Sequence, residues 1–175
     1  MGTTSLSSLG IRDILIREGI HPPVTMRDNG GAVFPGYVVT GTADTYPDVS
    51  KADALADNAF GVAGLLENQD IDTVYTDNEE IPIYLCGSGA IVYCYHSPSG
   101  GAIKYGDILV AKTTVGGGHV QVLSQAIKDS IAAGDTNFGT VFATQIANLY
   151  SLVGRAMETS ASSGTTVPIK VLLSI

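Results

Sequence analysis

Short runs of β-branched and aromatic residues, cut at close intervals by Gly, Pro, Ser, Asn and Asp, fill the middle of the chain. Phe60-Gly61-Val62-Ala63 opens this stretch. Glu80-Ile81-Pro82-Ile83-Tyr84-Leu85, Ile91-Val92-Tyr93-Cys94-Tyr95 and Ile103-Lys104-Tyr105-Gly106-Asp107-Ile108-Leu109-Val110 continue it. Branched side chains suit a pleat, and Gly or Asp suits tight turns, so the pattern predicts compact antiparallel sheet. Pro35-Gly36 signals a turn into a strand at Tyr37-Val38-Val39-Thr40. Residues 43–50 read as loop, and residues 51–57 as one or two helical turns capped by Ser50. Beyond a glycine loop at 113–119, Leu123, Ala126, Ile127 and Ile131 recur at helical spacing. Residues 141–153 fit either a helix or a pair of strands.

The first 32 residues differ. Charges interrupt the apolar run at 11–20, His21-Pro22-Pro23 breaks any regular element, and Arg27-Asp28-Asn29-Gly30-Gly31 reads as loop. This segment is expected to be an extended N-terminal arm (1–32) ahead of a β-rich domain (33–175), or else an edge strand capping the sheet. Residues 120–150 look like an insertion. The tail echoes the centre: Phe60-Gly61-Val62-Ala63 parallels Val153-Gly154-Arg155-Ala156, and Ile81-Pro82-Ile83-Tyr84-Leu85 parallels Val167-Pro168-Ile169-Lys170-Val171. The expected fold is mainly β, a compact barrel or sandwich with one or two short helices, closed by two similar hairpins.

Composition narrows the partners. Charged residues make up only 15% of 175, which suits either a surface covered by other subunits or a Gly- and Thr-rich domain with ordinary polar surface. The net charge is −8 and its nine basic residues do not cluster, so neither nucleic acid nor an anionic membrane is an expected partner. No apolar run approaches the roughly 20 residues that cross a bilayer as a helix. The Ser/Thr-rich start lacks the basic and apolar regions of a signal peptide, so synthesis in the cytoplasm is expected. In a hairpin through Gly87-Ser88-Gly89, Cys86 and Cys94 would lie roughly 13 Å apart. A disulfide needs Cα atoms within about 7 Å, so free thiols are expected.

The search for chemistry returns no catalytic, cofactor or metal site. Cys86-Gly87-Ser88-Gly89-Ala90 lacks the flanking glycines of a nucleophile elbow, as does His96-Ser97-Pro98-Ser99-Gly100. Gly116-Gly117-Gly118-His119 has no Lys-Ser/Thr for a phosphate loop. His21, His96 and His119 follow no ligand spacing, and a zinc set of His96, His119, Cys86 and Cys94 would have no local signature. Asp70, Asp72, Asp77, Glu79 and Glu80 fall in one acidic loop, where paired carboxylates would suit a hydrolase or a calcium cluster. A solvated surface loop is the plainer reading.

The order of phrases resembles the head-decoration, or capsid cement, proteins of tailed double-stranded DNA viruses. The phrases are Pro35-Gly36-Tyr37-Val38-Val39, the strand at 60–63, the acidic loop and strand at 79–87, Ile103 to Gly106-Asp107-Ile108-Leu109, and Val153-Gly154-Arg155-Ala156-Met157-Glu158 before a last apolar strand. The resemblance covers residues 33–111 and 150–175. It implies a non-enzymatic β-rich subunit on the outside of an icosahedral capsid, a homo-oligomer, commonly a trimer, whose partner is the major capsid protein. The alternative is a β-domain recognising a glycan or host receptor through Tyr46, Tyr93, Tyr95 and Tyr105.

Overall fold

The computed structural model describes residues 22–30, 32–42, 46–53, 58–67, 69–97, 99, 101–112, 117–132, 142–143, 146–147, 149–161 and 166–174. It is mainly β. Among these residues the strands run β1 (Val24–Asp28), β2 (Val38–Gly41), β3 (Asp48–Lys51), β4 (Gly61–Ala63), β5 (Glu80–Leu85), β6 (Ile91–His96), β7 (Ile108–Ala111), β8 (Val120–Val122), β9 (Leu152–Ala156) and β10 (Val167–Leu172). A helix, α1 (Leu123–Ala132), follows β8 directly.

The strands close into two five-stranded barrels, β1-β3-β2-β4-β5 and β6-β8-β7-β9-β10. Closure removes the unpaired sheet edges through which β-proteins aggregate. The second barrel repeats the first strand for strand. β1 pairs parallel with β3 and antiparallel with β5, as β6 does with β8 and β10. The register agrees as well: Met26 faces Ile81 and Val24 faces Ile83, while Cys94 faces Ile169 and Val92 faces Val171. Turn bonds recur in pairs. The Gly36 amide donates to the Ala63 carbonyl at 2.7 Å, and Gly106 to Ala156 at 2.8 Å. Asn29 donates to Val49 as Ser97 does to Val120, and Tyr75 to Val33 as Ser160 does to Ile103. The chain is thus two copies of one barrel unit.

Each barrel has an apolar interior. In the first it is Met26, Val33, Val39, Val49, Ala63, Tyr75, Ile81 and Ile83. Alternation along the strands sends Val38, Val62 and Tyr84 to the other face, where they join the second barrel's interior (Cys94, Ile103, Leu109, Val120, Ile169, Val171) in one continuous cluster. Barrel–barrel packing is therefore apolar core.

Several expectations change. β5 and β6 do not form a hairpin: β5 pairs with β1 and β4, and β6 with β8 and β10. Gly87-Ser88-Gly89, with positive φ at both glycines, instead carries the chain from one barrel into the next. The two related hairpins, β4–β5 and β9–β10, close separate barrels rather than one. Residues 24–28, read as part of an arm, form β1 and complete the first barrel; residues 1–21 lie outside the described set. Residues 48–51, read as loop and helix start, are β3, whose Asp48 and Val49 are buried; residues 54–57 lie outside the described set. The ambiguous stretch is helical at 142–143, 146–147 and 149–150, before β9 begins at Leu152.

Gly61 and Gly154 occupy equivalent sites where strands cross closely. A Cβ at Gly154 would collide with the Leu172 carbonyl, and one at Gly61 with the Tyr84 carbonyl. Backbone cannot swing aside, so Gly154→Ala should lower unfolding free energy by about 1–3 kcal/mol in urea titration. Gly41, whose counterpart is Ala111, borders open space, with no atom within 4 Å of where a methyl group would sit. Gly41→Ala should therefore change stability far less.

Candidate functional site

A recess of about 240 Å³ opens where the barrels meet, lined by Phe34, Tyr37, Asp72, Tyr95, His119 and Thr166. Phe34 and Tyr37 come from the turn entering β2, Tyr95 from β6, and His119 from the residue before β8. Asp72 reaches in from the loop after β4, and Thr166 precedes β10. Tyr37 is the hub. Its ring meets His119 edge-on at 5.2 Å, Tyr95 edge-on at 5.8 Å, and Phe34 tilted at 5.1 Å. A side chain on Gly118, at φ +84°, would strike the Tyr37 ring, so glycine there lets His119 approach.

Burial sets the electrostatics. The His119 imidazole is pushed below its ordinary range by burial, then by the positive charge of Lys51 and by His96 and Lys112, which keeps it neutral at pH 7. Its Nδ1 is buried without a hydrogen-bond partner among the described residues. The Tyr95 phenol is pushed up by burial and then by the negative charge of Asp72.

The repeat supplies an internal comparison. Tyr95 and His119 stand where the first barrel has Arg27 and Asp48, an ion pair at 2.6 Å. Phe34 and Tyr37 stand where the second barrel has Lys104 and Asp107, bonded from amide to carboxylate at 2.8 Å. All four aromatic walls thus occupy positions that are charged in the other copy.

A second paired position lies at the barrel ends, where Asp28 corresponds to His96, and both are fully buried. His96 is satisfied. Its Nε2 lies 2.8 Å from the Gly101 carbonyl, which can only accept, so Nε2 carries the proton. Nδ1 then accepts from the Ser160 hydroxyl at 3.0 Å. Burial pushes the His96 imidazole below its ordinary range, and the equivalent slot in the first barrel holds the Asp28 carboxyl. Neither Asp28 oxygen makes a well-formed hydrogen bond among the described residues. Burial raises its carboxyl to about 6, with Asp77 and Glu79 adding to the rise and the nearby Val33 amide opposing it.

Two carboxylates of the acidic loop accept backbone amides. Asp77 accepts from the Gly30 amide at 2.8 Å and Glu79 from the Thr76 amide at 2.7 Å. Asp70 and Glu79 line an open cleft with Leu66 and Thr73, while Asp72 turns to the aromatic recess. Cys86 and Cys94 are both free thiols, and burial raises Cys86 to about 12. Among the described residues no three His, Cys, Asp or Glu side chains gather as metal ligands. His21 lies outside the described residues. Of the tyrosines named for recognition, Tyr46 and Tyr105 are exposed, Tyr93 lies under the Lys170 ammonium, and Tyr95 alone walls the recess. Sequence reasoning misses Phe34, Tyr37 and His119 as its partners, since they sit in separate turns.

Asp28 yields a pH prediction. Below its ordinary value of 3.8 the carboxyl is protonated both folded and unfolded. Between 3.8 and about 6 the unfolded chain releases the proton while the fold keeps it, so stability falls as pH rises through that window. Asp28→Asn carries no such proton. Its stability relative to the parent should climb by up to about 3 kcal/mol from about pH 4 to about pH 7, measured by denaturant unfolding at each pH. A difference flat with pH would contradict this.

Neither a scan against protein-family models nor a search of curated proteins finds a match to this chain.

Proposed function

We propose that this chain is a non-enzymatic virion protein, a decoration or cement protein that binds the outer surface of an icosahedral capsid and stabilises it. One observation carries the reading. Helical backbone between β8 and β9 leaves Phe142, Ile146, Leu149 and Tyr150 exposed, the first at 55% and the last at 65%. Their spacing of four, three and one puts them on one helical face. The first barrel spans the same connection with residues 52–60 alone, so this face is an addition to the repeat. The Ala59 amide bonds to the Tyr150 carbonyl at 3.3 Å, tying the addition to the first barrel. Large apolar groups exposed together mark a surface that docks on protein.

A rigid double barrel suits the task. It offers a capsid joint a stiff body, and many such bodies on one shell act together. The partners in this reading are the major capsid protein and other copies of the chain, as a trimer, on the virion exterior.

The test is co-sedimentation with heads stripped of their decoration. Saturable binding to expanded heads is expected. Leu149→Glu with Tyr150→Glu should weaken it at least about tenfold while leaving the circular dichroism unchanged. Indifference to both intact and stripped heads ends the proposal, and light scattering should find a trimer. Truncation must stop before Pro22, because removing residues 1–32 takes away β1 and opens the first barrel.

A further inference from the structure

We propose that the aromatic recess between the barrels is a binding site for a cationic side chain, an arginine or lysine presented by a partner protein. Size and chemistry both point there. At about 240 Å³ it falls short of the roughly 300–1,000 Å³ of sites that enclose a whole small-molecule ligand, and suits a single side chain. Phe34, Tyr37 and Tyr95 supply rings whose negative faces attract a cation. The exposed Asp72 carboxylate stands at the same opening and adds an opposite charge. Tyr95 feels that charge, which places it within electrostatic reach of the ring.

His119 is neutral at pH 7. Of the two lysines whose charge reaches it, Lys51 is drawn to Asp53 with Nζ 3.8 Å from Oδ2, and buried Lys112 donates to the Gln121 Oε1 at 3.4 Å. The chain's net charge of −8 favours approach of a basic segment. The repeat strengthens the assignment. If the second barrel needed only a stable contact between β6 and β8, an ion pair like that of Arg27 and Asp48 would provide it. Tyr95 and His119 instead leave a walled opening, with aromatic rings where that ion pair would stand. The site does not depend on the partner being a capsid subunit.

The test uses the whole chain and two small probes, Nα-acetyl-arginine amide and its uncharged citrulline counterpart. The readout is the NMR signals of the Tyr37, Tyr95 and His119 rings. The arginine probe should shift these rings saturably, and the citrulline probe should bind at least about tenfold more weakly. Asp72→Asn, in an exposed loop that leaves the core untouched, should weaken arginine binding about tenfold. Asp70→Asn, outside the recess, should leave it unchanged. Tyr95→Phe keeps the ring and should retain binding. Equal binding of the two probes, no effect of Asp72→Asn, or no saturable shift with arginine would each overturn the site. Arginine binding by a chain that ignores both intact and stripped heads would sink the capsid reading alone.

Discussion

Val38, Val62 and Tyr84 point out of the first barrel and are buried, because the second barrel covers them. An isolated five-stranded barrel of this size has a thin interior, and such a face exposed to water would cost it much of its stability. Packed together, the two units share one cluster that runs from the outer face of the first to the inside of the second. Strand closure, the short link at Gly87-Ser88-Gly89 and the recess at the junction all follow from burying that face. Tyr37 is adjacent to Val38, so the residue that turns inward to the shared core also sets the aromatic hub beside it.

The same duplication separates structural from special positions. Interior positions keep their character between copies: Met26 and Cys94, Val39 and Leu109, Ile81 and Ile169, Ile83 and Val171 are all buried apolar pairs. Asp28 and His96 are both buried polar groups, yet only the histidine finds well-placed partners among the described residues. The recess is where the copies diverge in kind, charge against aromatic ring.

Much of this is legible in the chain and some is not, for physical reasons. The strands at 61–63, 80–85, 91–96 and 108–111 announce themselves because branched residues crowd buried positions. β1 and β3 are hidden: Val24-Thr25-Met26-Arg27-Asp28 and Asp48-Val49-Ser50-Lys51 are mostly polar, and their place comes from a parallel pairing that no local turn encodes. The likeness of 60–63 to 153–156 marks the right register, with Gly61 matching Gly154. Matching Pro82 to Pro168 misleads by two residues, since the ladders align Ile83 with Val171. A two-residue slip preserves which face is buried, so the pattern alone could not reveal it. The recess is out of reach because its walls are drawn from five distant segments.

The position of β1 has a mechanical consequence. It is bonded to β3 on one side and to β5 on the other. Tension arriving through the residues before Val24 therefore loads both ladders in shear, with their hydrogen bonds resisting together instead of peeling one after another. A pull on that side of β1 would be held by both of its ladders at once.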